Sequence, residues 1–200
     1  MSVTFQAISP HYRFFLGIDP GLTGGVAVID EDKTVILLEK TPVAWAGRGP
    51  TRKHIYCIDA MYAALDTIVK GCSPANLTVC IELQHAFPGQ GVVSTGTTMY
   101  GYGIWIGLLH AVGLTYTEVK PRAWKTFYGL LKAEKVASVA LAQLMFPGIR
   151  HLQASEHGLA DALLLAGYGS KEYRNGRQTV GAVSGASAES SAGVGGSPGG

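Results

Sequence analysis

The sequence predicts an α/β fold, a mixed sheet with helices packed on its faces. Three observations predict it. The apolar runs Arg13–Asp19, Gly25–Asp30 and Thr34–Glu39 follow one another across turns of only a few residues, spacing that implies antiparallel hairpins. Leu77–Leu83 and Leu114–Lys120 are further strand-like runs, each preceded by a segment with a helical pattern. A composition that is 47% hydrophobic and only 15% charged supports a buried core between such layers.

Taken in order, Arg13–Asp19 ends in the turn pair Pro20-Gly21, and Gly25–Asp30 closes on Glu31-Asp32-Lys33. Pro42, Gly47, Gly49 and Pro50 mark a loop. From Arg52 to Lys70, Ile55, Ile58, Met61, Tyr62, Leu65 and Val69 recur at helical spacing. Leu77–Leu83 is compact and apolar, as a buried strand is. Glycines and a proline make Ala86–Thr98 a loop. Tyr100–Val112 reads as a helix whose Gly101, Gly103 and Gly107 mark close packing. Strand Leu114–Lys120 is ended by Pro121, and helices are expected over Pro121–Leu131, Glu134–Phe146 and Ser155–Tyr173. The folded domain is expected over residues 1–178. Residues 179–200, almost all Gly, Ser, Ala and Val, have too little side chain to offset their ordering entropy and read as a disordered tail.

Composition narrows the function. A net charge of +2 does not by itself announce a nucleic-acid binder. Cys57, Cys72 and Cys80 form no C-x-x-C pair, which argues against a disulfide framework or a structural zinc site and for a reducing compartment. No run approaches the ~18 apolar residues of a membrane span, and no secretory pattern opens the chain. The expected setting is cytoplasmic, with no membrane partner.

Four features carry chemistry. Asp19 ends an apolar strand and precedes Pro20-Gly21-Leu22-Thr23-Gly24-Gly25; it either caps its own turn or meets something cationic. Glu82 closes Thr78-Val79-Cys80-Ile81, where a carboxylate needs a salt bridge or a metal. His157 and Asp161 are one helical turn apart on one face, with Asp161 opening an apolar run. Together these four form an oxygen-rich ligand set of the kind that suits Mg²⁺ or Mn²⁺ better than zinc. Lys120, Arg122, Lys125, Lys132 and Lys135, interleaved with Trp124, Phe127 and Tyr128, make a basic strip able to contact phosphates and stack on bases; the plainer reading is a solvated helix face with its aromatics turned inward.

These motifs resemble a known family. Phe15-Leu16-Gly17-Ile18-Asp19-Pro20-Gly21, Cys80-Ile81-Glu82 and Ala160-Asp161-Ala162-Leu163 look like the signatures of RuvC-type Holliday junction resolvases, and the chloroplast-type branch with its bacterial and phage relatives is closer still. Tyr100–Leu109, Pro121 with Trp124-Lys125, Phe146-Pro147 and His157-Gly158 add to that likeness, which covers about Phe14 to Tyr168. The resemblance implies a ribonuclease H-like mixed five-stranded sheet and a homodimer that nicks four-way DNA junctions symmetrically. It also implies two Mg²⁺ ions per site, with Mn²⁺ able to substitute, held by Asp19, Glu82, His157 and Asp161. Gly158 stands where some bacterial relatives carry an acid or histidine, which leaves Glu156 as the substitute for His157. The loop after Glu82 holds Phe87 and Gln90; Phe87 either anchors the loop or opens the junction centre by stacking, with Gln90 probing base edges.

Other classes remain to be separated. Gly17–Gly24 also looks like the first phosphate loop of sugar-kinase and actin-type ATPases, but no second D-x-G follows and the chain is short for two lobes, so no nucleotide cofactor is expected. A non-catalytic junction-binding protein and a nuclease acting on other branched DNA are the remaining alternatives.

Overall fold

Alternation along β1 (Phe14–Asp19) decides the layering of the molecule. The computed structural model describes residues 12–86, 89 and 91–185. Phe14, Leu16 and Ile18 project to one face of the sheet, where they form a core with Met61, Leu65 and Ile68 of α1 (Ile58–Gly71) and with Tyr102, Trp105 and Leu109 of α2 (Val92–Ala111). Phe15, on the other face, packs with Val139 and Ala142 of α4 (Lys135–Met145) and with Leu159–Ala166 of α5 (His157–Gly185).

The sheet has five strands. β2 (Gly25–Asp30) pairs antiparallel with β1 and with β3 (Val35–Lys40), while β6 (Leu77–Glu82) runs parallel to β1 on its other side and β7 (Thr117–Val119) parallel to β6. The order β3-β2-β1-β6-β7, with helices on both faces, is a mixed five-stranded sheet flanked by helices, as expected from the sequence. A short helix, α3 (Pro121–Phe127), follows β7 with its proline in the first turn.

Several elements differ from expectation. The segment expected as a loop and a helix start is a second, two-stranded sheet, β4 (Val43–Ala46) with β5 (Lys53–Tyr56). Trp45 faces His54 across it, their rings 3.9 Å apart, with the Arg52 guanidinium over Trp45 at 4.3 Å. That cross-strand stack holds residues whose sequence spacing mimics a helix. α2 begins at Val92, well before Tyr100, so the second half of the expected loop is helix, with the Thr97 carbonyl facing the Tyr56 hydroxyl. β7 is shorter than Leu114–Lys120, and α3 stops at Phe127 before Gly129, whose φ of 71° ends it. α5 continues past Tyr173 to Gly185, so residues 179–185 of the expected tail are helical backbone; residues 186–200 lie outside the described residues.

Candidate functional site

β1 and β6 run parallel with Ile18 opposite Ile81, so the next residue of each strand, Asp19 and Glu82, stands side by side at the carboxyl edge of the sheet. Alternation puts Asp19 on the face of Phe15, and Glu82 on the face of Cys80, which is the face that α5 covers. α5 lies directly on β1 at Gly17, where a Cβ would stand 2.1 Å from the Ala162 carbonyl oxygen. One turn upstream, a Cβ on Gly158 would stand 2.1 Å from the Thr23 carbonyl oxygen and 2.6 Å from Gly24 Cα. Gly158 is therefore the residue that lets the start of α5 close onto the turn after Asp19, bringing Asp161 to the two strand-end acids.

The three carboxylates interact strongly. Burial, then the neighbouring Glu82 and Asp161 charges, push Asp19 up to about 8, against the pull of the Gly21 N–H (3.1 Å to Oδ1) and of Lys125. Burial also raises Glu82, opposed first by Lys125 and then by the Trp124 indole N–H, which donates to Oε1 at 3.0 Å; Gln84 donates to Oε2 at 2.9 Å. Burial raises Asp161, opposed by Ser138, Lys125 and Lys135. Its Oδ1 is buried without a hydrogen-bond partner. His157 is lowered by burial and by Lys135 and Lys125, which keeps the imidazole neutral and able to act as a ligand near pH 7.

A divalent cation would offset the repulsion between these acids, satisfy the unpartnered carboxylate oxygen and accept the imidazole lone pair, and an oxygen-rich set fits Mg²⁺ or Mn²⁺. As the side chains lie, no three His, Cys, Asp or Glu among the described residues are close enough to grip one ion together. The acids are neighbours, not a preformed cage.

Glu156, the alternative to His157, is engaged by other partners. Arg150 clasps it with two bonds of 2.7 and 2.9 Å, Lys40 reaches it at 3.0 Å, and it accepts the Gln153 backbone N–H at 3.0 Å. Arg150 first, then that N–H, holds its carboxyl well below the usual range. It fixes the turn before α5 and leaves His157 as the fourth candidate.

The basic strip divides in two. Lys120, Arg122, Lys125 and Lys132 line a groove of about 770 Å³ with Leu83, His85, Pro121 and Leu131, just beyond Glu82. Lys135 acts on His157 and Asp161 instead. Trp124 is wholly buried, and Tyr128 is turned inward, donating to the Leu164 carbonyl at 3.1 Å, so neither is free to stack on a base. Phe127 stays half exposed, edge-on to Tyr128 and Tyr168. Phe87 and Gln90 lie outside the described residues. Gln84, Ser138 and Tyr56 went unnoticed in the sequence. Only Gln84 leaves a trace there, two residues beyond Glu82.

No family model matches the chain. Over 100 residues, 48% of its length, it is 40% identical to "Holliday junction resolvase MOC1, chloroplastic" of Chlamydomonas reinhardtii, and the match spans 11% of that protein. Among solved structures it is similar to RuvC of Thermus thermophilus, with a TM-score of 0.46 and 18% identity over 76% of this chain and 90% of the other. RuvC of the same organism in complex with Holliday junction substrate gives 0.48 and 14% over 77% and 90%. The fold assignment rests on the strand order and pairing. No helix among the described residues is long and apolar enough to cross a membrane.

Proposed function

We propose that this chain is a metal-dependent, structure-selective endonuclease that resolves four-way DNA junctions by paired symmetric nicks. The observation that carries the reading is the convergence of Asp19, Glu82 and Asp161 from three separate elements, with Asp161 Oδ1 buried and unpartnered, beside a groove lined by four cations. The likeness of about half the chain to a junction resolvase agrees with it.

Two Mg²⁺ or Mn²⁺ ions at this set would supply an activated water and offset charge on the leaving oxygen of a phosphodiester. Asp19, Glu82, His157 and Asp161 would hold the ions in this reading, with Asp19 next to both other acids. Trp124 and Gln84 orient Glu82 by donating to one oxygen each. Lys125, which pulls on all three acids, is placed to meet the phosphate. Lys120, Arg122 and Lys132 hold the backbone of the same DNA, positioning it without reading sequence.

Symmetric nicks on a two-fold junction need two sites related by two-fold symmetry. The homodimer face in this reading is the outer side of α2: a Cβ on Gly96, Gly103 or Gly107 would meet nothing within 4 Å, and Val92, Val93 and Tyr100 are exposed beside them. Trp105 and Leu109, on the other side of the same helix, are buried in the chain's own core. A reducing, cytoplasmic setting belongs to the same reading, with Cys57, Cys72 and Cys80 all free thiols.

The test is cleavage of labelled four-way, flap, fork and linear DNA side by side in Mg²⁺ and Mn²⁺. Paired nicks in the four-way substrate, lost in Asp19→Asn and Glu82→Gln with binding retained, are expected. Preferred cleavage of flaps or forks would reassign the substrate, and binding without cleavage would make this a junction-binding protein.

A further inference from the structure

The residue that joins the Asp19 turn to the opposite face of the sheet is Tyr56, the last residue of β5. It is 6% exposed, and its hydroxyl stands 3.3 Å from the Pro20 carbonyl oxygen and 3.4 Å from that of Thr97 in α2. A single proton serves both, at distances long for an O–H donor, so the bond is shared between the turn and the helix. Gly101 makes room for the ring: a Cβ there would stand 2.1 Å from Tyr56 Cζ and from its oxygen. Tyr100 packs edge-on against the same ring, their centroids 6.1 Å apart. Burial first, and the Asp19 charge after it, push the hydroxyl up to about 12 and keep it a donor.

Pro20 gives that contact leverage. Its ring fixes the Pro20 φ, so a bond to the Pro20 carbonyl restrains the backbone that leads back to Asp19. Beside Tyr56, a groove of about 430 Å³ runs between Leu22 of the same turn, Lys53, His54 and Ile55 of β5, and Val93, Thr97 and Tyr100 of α2. Whatever moves β5 relative to α2 must move the tyrosine between them.

We propose that Tyr56 is a positioning residue whose hydroxyl sets the stance of the Asp19 carboxylate, tying it to the placement of β5 and α2. The proposal rests on the nuclease reading for its effect on cleavage, and on Asp19 as a metal ligand for its effect on ion binding. Tyr56→Phe keeps the ring that fills the space by Gly101 and removes only the donor; Gly101→Ala keeps the donor and displaces it.

Three measurements test it on the full chain: Mn²⁺ affinity by titration calorimetry, four-way junction affinity in Ca²⁺, and single-turnover cleavage across a Mg²⁺ series. For Tyr56→Phe, Mn²⁺ affinity and cleavage at limiting Mg²⁺ should each fall about tenfold. Junction affinity should stay within about twofold, because phosphate contacts carry it. Gly101→Ala should show the same split. Unchanged Mn²⁺ affinity and Mg²⁺ dependence in Tyr56→Phe would overturn the proposal, as would a loss of cleavage that only follows a lowered melting temperature. If the wild type binds Mn²⁺ but cuts no branched DNA, the nuclease reading fails while the Mn²⁺ comparison still decides the role of Tyr56. A wild type that binds no Mn²⁺ overturns both.

Discussion

Replacing Asp19 with asparagine should abolish cleavage and, at the same time, stabilise the metal-free protein at alkaline pH. Asp19 is pushed from 3.8 up to about 8 by burial and by Glu82 and Asp161. Below about pH 4 the carboxyl is protonated in both folded and unfolded chains and the fold bears no cost. Between there and about pH 8 the unfolded chain gives up the proton while the folded one keeps it, so stability falls with rising pH. At about 1.4 kcal/mol per pKa unit, the ceiling on that loss is about 6 kcal/mol. The side chain is partly open to solvent, which screens the repulsion and brings the expected gain of Asp19→Asn to about 2–3 kcal/mol. The amide oxygen can still accept the Gly21 N–H, so the turn is kept. For a chain of this size that gain is about 5–10 °C in melting temperature. Thermal melts in EDTA at pH 8 and pH 4 read it directly. A gain at pH 8 that vanishes at pH 4 is expected, and added Mn²⁺ should stabilise the wild type alone. An unchanged or lower melting temperature for Asp19→Asn at pH 8, or a gain that persists at pH 4, would refute the picture of an acid pushed up by burial and by its two acidic neighbours.

Other consequences are equally specific. Gly158→Ala drives a methyl into the Thr23 carbonyl and Gly24, and should cost about 1–3 kcal/mol in urea unfolding along with most of the cleavage rate. Trp124→Phe keeps the buried ring but removes the donor to Glu82 Oε1, and should slow single-turnover cleavage about tenfold with a smaller effect on junction binding. His157→Ala should cut activity severely and change the preference between Mn²⁺ and Mg²⁺, since imidazole is a softer ligand than carboxylate; wild-type rates in both metals would remove it from the set. Glu156→Gln should lower the urea midpoint at pH 7. Because Arg150 holds the Glu156 carboxyl below its ordinary 4.5, the stability that its charge contributes is present above that pH and drains away below it, so the difference from wild type should shrink in acid.

Much of this protein was legible in local pattern. Phe14 to Asp19 alternates between two cores, and turns too short for a crossover dictate that β1, β2 and β3 pair antiparallel; both follow from residue spacing alone. An acid closing an apolar strand is conspicuous wherever the strand lies, which is why Asp19 and Glu82 stand out unaided; Asp161 does so because it opens an apolar run on a helix. Tertiary structure decided what such patterns cannot encode, namely which strand end lies beside which. Asp19 and Glu82 are neighbours only because β6 pairs parallel to β1, and Asp161 joins them only because Gly17 and Gly158 lack side chains. The same reason hid the β4–β5 hairpin, whose Trp45, Arg52 and His54 are joined by pairing across a turn. It also left Trp105 unplaced, since helical spacing names a stripe without saying what covers it. Glu156 beside His157 looked like a rival ligand until Arg150 and Lys40, distant from each other in the chain, were seen to hold it. Periodicity is a property of a few consecutive residues, whereas a site is a meeting of residues far apart in sequence, and only the packed chain selects the partners.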